Sequence, residues 1–378
     1  MDKLTNQIPV FFISYSILIE SEVNNYMARP NDPLYLGNAQ FPQGQWGLRR
    51  INPEAGWDLL PRRGPKIIVA VIDSGVNPHE DLVGNVLFNR RYNAVTDTVG
   101  GDVTDNALVN HGTGIAGNIA ATTNNLIGMA GTSFNTVNIL PIKVVDDTQG
   151  EDQENVEPAA LARAIDYAWR SGARVINMSV TQGDINLPDG LANTIRYTAF
   201  PEVQAAINRA FAAGAVLVAM AGNDGIGQVA FPAAYDNVIA VSGITMQDTP
   251  IAVSNSGPQI DVAAPGDLIL TMDGNNFNGY VSNFTGTSIA TSFVGGLAAL
   301  IFSVNPKLRN TDVVRIIEGT AHQPGTPGTL VVSGRGKGKG PQALPPLPRT
   351  APRWNQTLGF GVIDVTLAMS SAAILRRP

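Results

Sequence analysis

From Lys66 onward, apolar and largely β-branched runs alternate with stretches of helical period. IIVAVID (Ile67–Asp73), ILPIKVV (139–145), RVINMSV (174–180) and AVLVAMAG (215–222) read as strands buried on both faces. Between them, Leu161, Ile165 and Trp169 with Ala160, Ala164 and Ala168 mark an amphipathic helix over 157–171, and a second helix is predicted over 203–213. Strands that cannot show a face to water, separated by helices, predict an α/β fold: a mostly parallel central sheet with helices on each side, three layers in all. Such sheets carry their sites beyond the carboxyl ends of the strands. After Pro250 the strands shorten (IDVAAPG, LILTM, YVSNF), and Asp273-Gly274 predicts a turn, hence a hairpin beside the main sheet. Apolar helices are then predicted over 288–304 and 311–320.

Composition narrows the chemistry. The 378 residues are 44% hydrophobic and 15% charged, enough apolar sequence for one large core and one domain of catalytic size. With no Cys, thiol nucleophiles, disulfides and thiolate metal sites are excluded, and imidazole chemistry must choose among His79, His111 and His322. A net charge of −6 with one short basic stretch argues against a nucleic-acid partner. No apolar run is expected to reach the ~18 residues that span a bilayer, so no membrane partner is expected, and the protein is expected to be a monomer. The apolar segment 8–19 follows Lys3, but Glu20 and Glu22 come directly after it without a small-x-small site; it is predicted as a strand and not a signal core. Residues from about 323 to 356 are rich in Gly and Pro, and 323–354 hold five Lys or Arg and no acid, which predicts a solvated insert. Its glycine-lysine run lacks the spacing of a phosphate loop.

Three residue types stand at element ends in the order Asp, His, Ser. Asp73 closes the strand IIVAVID, His111 opens the Gly-rich helix start NHGTGIAGNIAA, and Ser288 lies where FTGTSIATSFVGGLAALI turns into a helix. A hydroxyl becomes a nucleophile when an imidazole takes its proton, and the imidazole does so best when a carboxylate fixes its tautomer. A helix N-terminus adds free N–H groups for a developing oxyanion.

With these flanks, the chain resembles the subtilisin-like serine proteases, specifically their thermitase-like branch. VIDSGVNPHEDL resembles the family's aspartate block, NHGTGIAGNIAA its histidine block and GTSIATSFVGG its serine block; VAMAGNDG resembles the block whose Asn completes the oxyanion hole, here Asn223. RPNDPLYLGNAQFPQGQWGLRRINPEAGWDL resembles a thermitase-type mature N-terminus, and LGFGVIDVTLAM the last structural block. The resemblance implies a secreted serine endopeptidase acting on polypeptides, with Asp73, His111 and Ser288 catalytic, and Ser179, Val180, Thr181 and Gly222 binding substrate. Asp81 and the loop TNNLIGM (123–129) resemble the family's tight calcium site, which implies Asp81 and Asn125 as side-chain ligands with Ile127 and Met129 contributing. Asn124 is the alternative, and an Asn-rich turn the plain reading.

Some positions depart from the family pattern. Gly114 replaces a second His, Val180, Thr181 and Gln182 follow Ser179 where Ser-x-Gly-Gly is usual, and Ser292 and Phe293 replace Pro and His. Side chains in place of glycine imply a reshaped first specificity pocket. Ser292 restores an N–H that Pro lacks, implying a shifted Ser288 and slower acylation unless packing around Phe293 compensates. Residues 14–28 resemble the final strand of an inhibitory propeptide, which implies 1–28 as a propeptide remnant or N-terminal extension and 29–378 as the peptidase domain. The acidic segment 146–157 implies a preference for Lys or Arg in the bound peptide. The rival readings are a catalytically weakened peptide-binding protein of the same fold and an α/β-hydrolase esterase; the second requires G-x-S-x-G, which GTSIA does not supply.

Overall fold

The computed structural model describes residues 29–62, 64–106, 110–145, 156–182, 197–331, 347, 349 and 353–375. Residues 1–28, expected as a propeptide remnant, most of the acidic segment and most of the Gly/Pro/basic insert lie outside them.

The strands are β1 (Ile67–Asp73), β2 (Tyr92–Asn93), β3 (Thr98–Val99), β4 (Val137–Lys143), β5 (Val175–Met178), β6 (Val216–Met220), β7 (Val238–Ile244), β8 (Ile260–Pro265), β9 (Ile269–Asp273) and β10 (Gly279–Phe284). Eight of them form one sheet in the order β3-β2-β4-β1-β5-β6-β7-β8, parallel except for the β2–β3 pair. The longer helices are α1 (His111–Ala120), α2 (Pro158–Arg170), α3 (Pro201–Ala212), α4 (Thr287–Val304), α5 (Asn310–Thr320) and α6 (Val365–Leu375).

Period-two alternation along the buried strands divides the core. Val69 and Val71 of β1 pack into one apolar cluster with α1, α4, α5 and α6, while Ala70 and Ile72 pack into a second with α2 and α3. The result is a three-layer α/β/α fold. Pro158 and Pro201 occupy the first turns of α2 and α3, where a missing N–H costs nothing. Gly172 (φ 83°) and Gly214 (φ 94°) follow their ends in the left-handed conformation that closes a helix.

Three expectations change. Helix α4 is 18 residues long and apolar enough to cross a membrane, so an apolar run of spanning length does exist; 94% of it is buried in the core. β7 is a full interior strand that the sequence reading did not name, and IDVAAPG is its parallel neighbour β8 in the main sheet. The hairpin is β9–β10, and its connection runs over 274–278, wider than a turn at Asp273-Gly274. Where the insert leaves and returns, Gln323 Nε2 donates to the carbonyls of Arg353 (2.7 Å) and Gly359 (2.9 Å), so the segment departs from and rejoins one point.

Candidate active site

Asp73 is the last residue of β1 and is 1% exposed. Its Oδ1 accepts from Ser74 N at 2.8 Å and from His111 Nδ1 at 2.7 Å. That bond fixes the His111 tautomer with the proton on Nδ1, which turns Nε2 into the basic nitrogen. The imidazole side chain is 12% exposed and packs against Phe284, with ring centroids 5.3 Å apart. Gly114 takes the place of the second His because Phe284 fills that space: a Cβ there would lie 3.0 Å from Phe284 Cε2.

A second buried carboxylate, which the sequence reading missed, supports this pair. Asp105 Oδ2 accepts from Thr113 N (2.8 Å) and Thr113 Oγ1 (2.6 Å), and Oδ1 accepts from Ser74 Oγ (2.7 Å). Ser74 Oγ in turn accepts from Gly112 N at 3.0 Å. The N–H groups of Gly112 and Thr113 in the first turn of α1 are therefore satisfied by Ser74 and Asp105, and Ser74 also donates to Asp73. Burial holds the Asp105 carboxyl above its ordinary range, opposed by the Thr113 and Ser74 hydrogen bonds. Lys143, opposite Asp73 in the β1–β4 register, donates to Ser74 O and to Thr104 O at 2.8 Å.

Ser288 is the second residue of α4 and is 2% exposed. Asn223 lies beyond the end of β6. Its Oδ1 accepts from Thr287 N at 2.8 Å and lies 2.9 Å from Thr287 Oγ1, which orients the amide. A Cβ built on Gly286 would lie 3.2 Å from both Asn223 Nδ2 and Ser288 Oγ. Those two atoms thus border the same small space. Gly222 has φ 106°, and a Cβ there would meet Asn255 Nδ2 at 2.2 Å, so this position excludes a side chain.

The side chains of Ser179, Val180 and Thr181 are buried, and Gln182 is fully buried with no partner for its amide among the described residues. Ser179 Oγ donates to the Ser288 carbonyl at 3.0 Å, and Asn177 Nδ2 donates to Ser179 Oγ at 3.0 Å. Ser292, fully buried, donates to Ile289 O at 2.5 Å and accepts from Asn118 Nδ2 at 2.6 Å. Its hydroxyl is thus engaged both as donor and as acceptor. Asn118 and Asn177 were not singled out from the sequence, although each is an isolated amide in an apolar run, GIAGNIAA and VINM.

At the other end of α1, Asp81 and Asn125 meet: Asn125 Nδ2 donates to Asp81 Oδ1 at 2.7 Å, and Met129 N donates to Oδ2 at 2.9 Å. Asn125, not Asn124, reaches the carboxylate, since Asn124 Oδ1 accepts from Asn31 N. Ile127 N is held by Asn125 Oδ1 at 2.9 Å. A further carboxylate, Asp32, grips the N–H groups of Asn124 (2.9 Å) and Asn125 (3.2 Å). Burial lifts Asp81 to about 7 and raises Asp32; the charge of Asp32 adds to the rise at Asp81. Two buried carboxylates astride one carbonyl-rich loop, with no ion pair to either among the described residues, fit the chemistry of a hard divalent ion. No cluster of three or more His, Cys, Asp or Glu suited to a metal occurs among the described residues, so backbone carbonyls would have to supply most of the ligands.

The sequence profile of the subtilase family matches residues 64–361. A thermophilic serine proteinase of Bacillus sp. (strain AK1) is 36% identical over 84% of this chain and 71% of its own length. Thermitase of Thermoactinomyces vulgaris is 34% identical over 81% of this chain and 96% of its own. Among solved structures, a protease of Pseudoalteromonas arctica PAMC 21717 superposes with a TM-score of 0.68 at 25% identity, over 91% of this chain and 99% of that one. With half its length or more under one family profile and thermitase matched nearly end to end, the chain belongs to the subtilase family of serine-type endopeptidases.

Proposed function

We propose that the chain hydrolyses polypeptides through Ser288, His111 and Asp73, with Asn223 and the Ser288 N–H stabilising the oxyanion. The observation that carries this reading is the 2.7 Å bond from His111 Nδ1 to buried Asp73, formed at the carboxyl edge of the sheet. His111 Nε2 takes the Ser288 hydroxyl proton as Oγ bonds to the peptide carbonyl carbon. The tetrahedral oxyanion forms between Asn223 Nδ2 and the N-terminus of α4, where donors are already oriented. Collapse breaks the C–N bond, His111 passes its proton to the leaving amine, and water then hydrolyses the acyl-enzyme by the same steps. Asp73 holds the ring in place and stabilises the imidazolium.

Calcium is the ion proposed for the loop 123–129, held by Asp81 and Asn125 with the carbonyls of Ile127 and Met129. Bound there, it supplies structural charge neutralisation and takes no part in the chemistry. Secretion is proposed as well, supported by relatives described as extracellular proteases.

The test is a cleavage profile on a peptide library, wild type against Ser288→Ala. Internal peptide-bond cleavage by the wild type that vanishes in Ser288→Ala is expected. A well-folded wild type that binds peptides without cleaving them would overturn the reading in favour of a binding protein.

A further inference from the structure

Two hydrogen-bond chains of the same construction converge on the turn that carries Ser288. From α1, Asn118 Nδ2 donates to Ser292 Oγ (2.6 Å), which donates to the carbonyl of Ile289 (2.5 Å). From β5, Asn177 Nδ2 donates to Ser179 Oγ (3.0 Å), which donates to the carbonyl of Ser288 itself (3.0 Å). Each is an amide, then a hydroxyl, then a backbone carbonyl in the first turn of α4. All four side chains are at most 1% exposed.

Both amides are poor choices for stability alone. Asn118 Oδ1 and Asn177 Oδ1 are buried without a hydrogen-bond partner among the described residues. A buried acceptor left unmade is expensive, whereas an apolar group of the same shape carries no such penalty. The helix that bears His111 packs on α4 through Ile115 and Ile119, but its first turns are glycine-rich. Gly112, Gly114 and Gly117 stand within its first seven residues, and Gly117 presses on Met272, where a Cβ would come within 2.7 Å of Sδ. Small residues allow close approach but interdigitate weakly, so directional bonds must set the position. The Asn118 chain runs from the helix of His111 to the turn of Ser288, and the Asn177 chain ties that turn to the sheet.

We propose that Asn118 and Asn177, acting through Ser292 and Ser179, are positioning residues that hold the Ser288 turn in register with His111 and Asn223. This rests on the assignment of Ser288 as nucleophile. Removing a hydroxyl takes a bond from one carbonyl of the turn, removing an amide unties the hydroxyl that holds it, and either lets Oγ drift; misplacement of ~1 Å costs about a hundredfold in rate.

The experiment compares Asn118→Leu, Asn177→Leu, Ser292→Ala and Ser179→Ala with wild type and Ser288→Ala. Tm, kcat, KM and the rate of fluorophosphonate labelling are measured well below every Tm. In the Leu variants Tm is expected to stay level or rise, because the orphan carbonyl is gone. Their kcat and labelling rate are expected to fall about tenfold to a hundredfold, with KM moving less than about threefold. The two Ser→Ala variants remove the same chains by one atom each and report on them if a Leu is not accommodated. Wild-type kcat in variants of both chains overturns the proposal. So does a loss of kcat that only tracks a fall in Tm, since that is a structural role. An active Ser288→Ala would overturn the nucleophile assignment itself, which distinguishes the two failures.

Discussion

Gly286→Ala is a substitution whose effect can be worked from the geometry. The added methyl would stand 3.2 Å from Asn223 Nδ2, 3.2 Å from Ser288 Oγ and 3.4 Å from Asn223 Oδ1. Each contact needs only a few tenths of an ångström of give, while φ 158° at Gly286 adds backbone strain for an Ala, so Tm should fall although the fold should survive. The chemistry should not. A methyl between the amide and the hydroxyl occupies the space where the substrate's carbonyl oxygen becomes an oxyanion, and it must push that oxygen by about a methyl radius. Losing one oriented donor costs on the order of 100- to 1000-fold in kcat, and displacing the carbonyl from the nucleophile adds to it. The expected loss in kcat is therefore at least about a hundredfold. Steady-state hydrolysis of a short peptide amide, with Tm measured alongside, reads both quantities. A Gly286→Ala enzyme with wild-type kcat would show that no oxyanion forms between Asn223 and Ser288.

Other perturbations probe other parts of the molecule. Asp73→Asn should lower kcat by on the order of 10⁴ with the fold retained, because an amide no longer selects the tautomer with the proton on Nδ1; a loss below tenfold would contradict the role of the 2.7 Å bond. Chelation should lower Tm, and Asp81→Ala should abolish most of that response, since an ion bound only by the folded state stabilises it by mass action; a Tm indifferent to chelator excludes the calcium site. Burial, with the charge of Asp261 next, pushes Glu318 from 4.5 up to about 8. Its contribution is thus complete below about pH 4.5 and is lost as pH rises through 8. The Tm of wild type relative to Glu318→Gln should decline across that window, and a difference constant with pH would refute the linkage.

The sequence made β1 legible residue for residue, because a seven-residue apolar run closing on Asp-Ser-Gly has one reading in an α/β fold. It also placed Asp73, His111 and Ser288 at element ends and picked out Asn223 through its block, since each sits among neighbours that are themselves distinctive. β7 was missed because VIAVSGI, with its Ser and Gly, has neither strict alternation nor an unbroken apolar run. The supporting polar residues were missed for a different reason. Asp105 lies six residues before His111 in a loop, and its bonds to Ser74 and Thr113 exist only once β1 and α1 meet. Asn118 and Asn177 look like ordinary interruptions of apolar segments until α4 is packed between them. The choice between Asn124 and Asn125 likewise needed the left-handed turn at Asn124 (φ 65°), which points one amide outward and the next toward Asp81.

The central claim is that Ser288 is an activated nucleophile whose base is His111. Treatment with a fluorophosphonate, followed by peptide mapping, tests it most directly. The expected result is a single covalent adduct on Ser288, forming quickly in wild type and falling to background in His111→Ala. An adduct on any other residue, or equal labelling of Ser288 without His111, would contradict it.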